Sequence, residues 1–184
     1  MASVAQKLIT AEEFALMPEP SDGSQQELVR GAIVTMPPPK GRHGACCSRV
    51  DRRVGNFVEA NNLGHVCAND TGWILERDPD TVRGPDVAFW NKERLPEIPD
   101  SYIEVPPDLA VEVVSPGDQW SRIQNKVRQY LHCGVRLVWV VDPEDRSVSV
   151  YRSQQQGKIL GENDTLTGED VLPGFSCLVK DLMP

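Results

Sequence analysis

The chain has 184 residues, 40% of them hydrophobic and 25% charged, the balance of a globular protein with room for one domain spanning residues 1–184. That balance excludes a disordered tail and a collagen-like repeat, and no apolar run approaches the ~20 residues needed to cross a bilayer. With 27 acids against 19 lysines and arginines the net charge is −8, so any nucleic-acid site needs a local basic patch or metal ions. The opening stretch MASVAQKLIT holds no continuous apolar segment, and no signal peptide is read there. The five cysteines (Cys46, Cys47, Cys67, Cys133 and Cys177) are scattered and form no C-x-x-C, which points to reduced thiols in a cytoplasmic protein.

In chain order, Thr10 and Glu13 form a capping box that starts a short helix running to about Met17. Pro18, Pro20 and Gly23 break it. ELVRGAIVTM (27–36) reads as a β-hairpin around Gly31, and MPPPKGRHG (36–44) as a rigid loop. Cys47, Val50, Val54, Phe57 and Val58 share one face of a helix expected over 43–61. HVCA (65–68), TGWILER (71–77) and DVAFW (86–90) are strand candidates, followed by a proline-rich loop. LAVEVV (109–114) is a near-continuous apolar run, as in a strand covered on both faces. A third helix over about 118–133 buries Ile123, Val127, Tyr130 and Leu131, and VRLVWVVD (135–142) is a second apolar strand. The strand–helix–strand order makes 109–114 and 135–142 parallel neighbours, with SVSVYR (147–152) as an edge hairpin strand. The fold class expected is α/β, a mixed sheet flanked by helices.

Glu112 is the most informative residue. Every neighbour in LAVEVV is apolar, and an isolated buried carboxylate must be paired, protonated or bound to a metal. A structural salt bridge to an Arg or Lys is the alternative to a functional role. Asp86 opens DVAFW after Pro85, where a lone acid could simply cap a turn. Two acids entering adjacent β elements instead make a site for a hard divalent cation such as Mg²⁺, which prefers oxygen ligands. Lys126 lies beside the buried stripe of the third helix, either a snorkelling surface lysine or an amine brought back towards the carboxylates.

The ordered set resembles the PD-(D/E)xK nuclease superfamily and, more narrowly, the Uma family of restriction-endonuclease-like proteins. The segments that carry the resemblance are QELVRGAIVTMPPP with His43 after it, RGPDVAFW, PPDLAVEVVSPGD, the helix with Lys126 and Tyr130, GVRLVWVVDP and LPGF (172–175). They cover nearly the whole chain and imply a restriction-endonuclease-like core. By resemblance, Asp86 and Glu112 match the metal-binding acids. The superfamily lysine is missing two residues after Glu112, where Val114 stands, and Lys126 matches a lysine that has migrated to the following helix. Glu27 matches an acid added from an early element, or it is a hairpin charge facing solvent. His43 matches a family histidine that could contact phosphate or cap the helix. Gly117 stands where the family has a second Ser, and Gln26 where it has an aromatic residue; neither change removes a ligand.

The implied reaction is hydrolysis of a DNA phosphodiester. Asp86 and Glu112, with Glu27 and the backbone carbonyl of Val113, would hold Mg²⁺ (or Mn²⁺), and Lys126 would polarise the attacking water. The basic stretch 40–53 supplies Arg49 and Arg53, one helical turn apart, as a footprint for DNA, unless that face is only solvated. A homodimer with two sites follows from the same resemblance. The competing readings are a non-catalytic dimeric nucleic-acid-binding or regulatory module of the same fold, and a nuclease acting on RNA. A zinc site is the weakest idea: His43, Cys46 and Cys47 lack a second ligand pair at standard spacing. No nucleophile elbow and no phosphate-binding loop motif occurs.

Overall fold

A computed structural model describes residues 7–152 and 157–184. Residues 1–6, the start of the stretch examined for a signal peptide, lie outside the described residues. Among the described residues no helix is long and apolar enough to cross a membrane.

Helix α1 (Ala11–Ala15) begins with the expected capping box. Thr10 accepts from the Glu13 amide at 3.2 Å, and Glu13 accepts from the Thr10 amide at 3.1 Å. Strands β1 (Gln25–Val29) and β2 (Ala32–Met36) form the expected hairpin. Its two-residue turn, Arg30 and Gly31, has φ of 51° and 75°, the left-handed geometry that matches strand twist. A Cβ on Gly31 would also stand 2.7 Å from Leu8.

Helix α2 (Gly41–Ala60) starts two residues before the expected boundary. Cys46, Val50, Val54 and Val58 recur every fourth residue and are buried. Strands β3 (Gly64–Ala68), β4 (Trp73–Glu76), β5 (Thr81–Arg83), β6 (Val87–Asn91) and β7 (Leu109–Val113) follow. Helix α3 (Trp120–His132) leads into β8 (Leu137–Asp142), which runs parallel to β7 as the crossover argument requires. Strand β9 (Ser147–Tyr151) pairs antiparallel with β8. It is an inner strand rather than the expected edge, because β10 (Lys158–Leu160) pairs with its other side. Three residues are too few to show an alternation pattern, so β10 left no mark in the sequence. Strands β11 (Thr165–Gly168) and β12 (Leu172–Leu178) and a 3₁₀ turn, Val179–Leu182, complete the chain.

The strands form a central six-stranded sheet in the order β10-β9-β8-β7-β6-β3, a four-stranded sheet β2-β1-β5-β4 and the pair β11-β12. Helix α2 and the C-terminal pair cover one face of the central sheet, packing on Val87, Phe89, Val111, Val113 and Trp139. Helix α3 covers the other, on Ala88, Ala110, Val138 and Val140. This two-sided cover is why β7 and β8 are continuously apolar.

Candidate active site

Strands β6 and β7 pair antiparallel, with Val87 opposite Val111 and Ala88 opposite Ala110. The paired register ends there: Asp86 lies in the bend just before β6, close enough for its charge to act on the Glu112 carboxyl, with its side chain turned to His43 at the start of α2. Asp86 is held there by the Val113 amide, which donates to Oδ2 at 2.6 Å.

Helix α3 returns along β7 and presents Lys126 and Tyr130, one turn apart, to the same carboxylate. Lys126 Nζ donates to Glu112 Oε2 at 3.0 Å and the Tyr130 hydroxyl donates to Oε1 at 2.5 Å. Burial raises the Glu112 carboxyl well above the usual range despite the lowering effect of Lys126. For Lys126, burial opposes the charge, but Glu112 and Glu27 outweigh it and raise the amine's pKa. Burial, reinforced by Glu112 and Glu27, raises the Tyr130 hydroxyl far above its ordinary value, so it stays a donor.

Glu27 does not face solvent. It is 4% exposed, with Arg83 Nη1 at 2.5 Å from Oε2 and Lys126 Nζ at 3.1 Å from Oε1. The Lys126 contact is an ion pair without hydrogen-bond alignment, and it leaves Oε1 with no hydrogen-bond partner. Arg83 is itself steadied by Gln129 Oε1, at 3.0 Å from its Nε. Glu112, Lys126, Glu27 and Arg83 thus form a continuous row of alternating charge.

Sequence reasoning missed Asp70. It lies in the turn after β3, where Asn69 and Asp70 have φ of 58° and 56°. Gln25 Nε2 donates to its carboxylate. Gly84 makes the approach possible, since a Cβ there would stand 2.2 Å from the Asp70 carbonyl oxygen. Burial, then the negative charge of Asp86 and Glu27, pushes the Asp70 carboxyl from 3.8 to about 6. A cleft of about 440 Å³ opens beside it, lined by Gln25, Asp70, Arg83, Gly84, Phe14 and Tyr102 among others. Arg83 and Tyr130 were missed as site residues for a common reason: their partners lie on other elements, and spacing carries no sign of them.

His43 does not cap α2. The N-cap position is Lys40, and His43 sits inside the first turn with its Nε2 at 3.2 Å from Asp86 Oδ1. Burial lowers the imidazole pKa, but the Asp86 hydrogen bond and charge outweigh it and the net shift is upward. Cys47, one turn on, places Sγ 3.4 Å from His43 Nδ1. Cys46 points the other way, into the apolar core. Arg49 and Arg53 lie further along α2, roughly 9 and 15 Å from His43 at 1.5 Å per residue. With Arg52 and Asn56 they line a shallow depression of about 320 Å³. Asp181 faces this patch, 3.4 Å from Arg53, a neutralising acid that inspection of 40–53 could not show.

The donor set fits a hard divalent cation. Asp70, Asp86, Glu27 and Glu112 lie near Lys126, Arg83 and His43; burial is the main cause of the upward shifts of Asp70 and Glu112, and the negative charge of their neighbours adds to it. A cation between Asp86 and Glu112 would offset that charge.

A family model described as "Putative restriction endonuclease", Uma2, matches residues 11–180. The chain belongs to the Uma2 family. Among solved structures, a crystal structure described as a putative nuclease belonging to DUF820, from Anabaena variabilis, superposes with a TM-score of 0.79. It is 23% identical, and the match covers 95% of this chain and 97% of that one. That likeness establishes a shared fold, with mixed sheets and flanking helices, for this Uma2 member. No curated protein matches the chain.

Proposed function

We propose that this Uma2 member is a divalent-metal-dependent endonuclease that hydrolyses DNA phosphodiester bonds. The observation that carries the reading is Lys126: helix α3 folds its amine onto Glu112, 3.0 Å away, beside the charge of Asp86. Asp86 and Glu112 would hold Mg²⁺ or Mn²⁺, with the Val113 carbonyl as a further ligand. When bound, the cation supplies a ligated water of lowered pKa and screens charge on the phosphate.

The protein's own groups do the rest. Lys126 orients the attacking water and stabilises the negative charge that develops on the phosphoryl oxygens. Tyr130 fixes the Glu112 rotamer by donating to Oε1, leaving the carboxylate aimed from the sheet. Glu27 holds Lys126 from its other side and is itself held by Arg83. The cleft beside Asp70 gives the strand a place next to these groups. Arg49 and Arg53 contact backbone phosphates away from the cut, and His43 lies closer to it. Two copies related by a twofold axis would cut both strands. The five unpaired cysteines support a reducing, cytoplasmic setting.

A second reading also has an observation behind it. Glu112 has the buried basic partner that a purely structural acid would need, so the charge row could stand without a cation in a non-catalytic module. Cleavage of supercoiled plasmid with Mg²⁺ or Mn²⁺ separates the two. The nuclease reading expects nicking and linearisation by the wild type, lost in Glu112→Gln and Lys126→Ala. A folded wild type that neither cuts plasmid or single-stranded RNA nor binds Mn²⁺ would overturn it in favour of the structural pair.

A further inference from the structure

We propose that His43, Cys47 and Asp86 form a second, distinct cation site, for a borderline-soft ion of the Zn²⁺ or Co²⁺ class. His43 and Cys47 lie one turn apart on α2, and Asp86 arrives from the start of β6. Their donor atoms all lie within 4.8 Å of one another. His43 Nε2 stands 3.9 Å from Cys47 Sγ and 3.2 Å from Asp86 Oδ1. In a tetrahedral zinc site, bond lengths of ~2.3 Å to sulfur and ~2.0–2.1 Å to nitrogen or oxygen put neighbouring donors about 3.6 and 3.4 Å apart. The two edges from His43 fall on either side of those values and the Cys47–Asp86 edge lies within 4.8 Å, so side-chain adjustments would close the site.

The chemistry of the donors selects the ion. Imidazole and thiolate suit zinc and its neighbours, whereas Mg²⁺ takes oxygen ligands. Three protein ligands leave a fourth position for water or another group. The site is also built. His43 is 8% exposed, and the Val113 amide fixes the Asp86 carboxylate through its other oxygen. Binding forms a sulfur–metal bond and breaks the Cys47 S–H bond, releasing that proton to solvent.

The site shares Asp86 with the acidic pair of the proposed nuclease centre but uses neither Glu112 nor Lys126. An ion held there commits the second oxygen of Asp86. Zn²⁺ would therefore compete with Mg²⁺-supported chemistry rather than substitute for it.

The test is a Co²⁺ titration of the full chain, read by the thiolate-to-cobalt charge-transfer absorption and the visible bands of tetrahedral Co²⁺. One equivalent is expected to bind, and Zn²⁺ to bleach the signal stoichiometrically. Cys47→Ser should abolish the charge-transfer band, and His43→Ala should weaken binding by at least ~10-fold, the scale seen even for groups behind the ligands. Cys46→Ser, whose sulfur faces the core, controls for the other thiol. Circular dichroism checks that each variant is folded. A wild type without a thiolate band, or a band that survives Cys47→Ser and disappears in Cys46→Ser, would overturn the proposal. Glu112→Gln separates it from the nuclease reading: the cobalt band should persist there whether or not the wild type cuts DNA. Loss of the band in that variant would mean a single shared site.

Discussion

Helices α2 and α3 pack on opposite faces of the central sheet. On α2, Cys46, Val50, Val54 and Val58 bury in the apolar core, and the polar donors His43 and Cys47 lie in its first two turns. On α3, Ile123, Val127 and Tyr130 bury in the same way, but Lys126 enters the protein beside them and meets two acids. An apolar stripe can be cut to size one methyl group at a time. A buried amine between two carboxylates cannot, because removing it leaves charges with no partner. The α3 face therefore carries a buried charge row that apolar packing alone does not explain.

The largest expected effect tests that contrast directly. Lys126→Met should destabilise the protein by about 3 kcal/mol in urea unfolding, because Glu27 and Glu112 lose their shared cation. Adding Glu27→Gln and Glu112→Gln should recover most of it. Val54→Ala on the other face should cost about 2 kcal/mol as a cavity and leave Mn²⁺ binding unchanged. Equal losses for Lys126→Met with and without the two glutamines would break the comparison, since the lysine would then contribute only packing.

A middling effect should appear in the pH dependence. Asp70 is raised from 3.8 to about 6, so between those pH values the folded state holds a proton that the unfolded state has lost. Its contribution to stability therefore falls as pH rises from about 4 to 6. Asp70→Asn should flatten that part of the curve, and millimolar Mg²⁺ should flatten it in the wild type. A slope unchanged by the substitution would detach Asp70 from the acidic cluster.

The smallest effect on the fold should come from Arg49→Glu with Arg53→Glu. Arg53 pairs with Asp181 at a half-exposed surface, an interaction worth about 0–1 kcal/mol. Unfolding should barely move, while DNA affinity at low salt should drop by roughly tenfold or more. Unchanged affinity would remove this stretch of α2 from the interface.

Legibility followed sequence locality. Glu112 stood out because it is the single charge in an apolar strand, and that signal needs only its neighbours. Asp86 gained meaning from its place at the start of the adjoining strand. Lys126 was visible as a basic residue beside a buried stripe, yet whether it pointed inwards depended on how α3 returned across β7. Glu27 could equally have faced solvent on a hairpin; Arg83, 56 positions away, decides that it does not. Asp70 carries no signal in the sequence, because what brings it to the site is the close approach of Gly84. The zinc idea lacked a ligand in the sequence because Asp86 is 39 positions beyond Cys47 and reaches it only in the folded chain.

By itself, the sequence determined the period of each helix, the turn of the first hairpin, the parallel β7–β8 pair and the lone acid on β7. These depend on residues a few positions apart, where backbone geometry converts spacing directly into direction. Only the tertiary structure decided which face each charge occupies, that one amine lies between two acids, and that Asp86 stands between a carboxylate on one side and an imidazole and thiol on the other. Those outcomes are set by contacts across the sheet and its two helices, and electrostatic interaction depends on distance in space rather than along the chain.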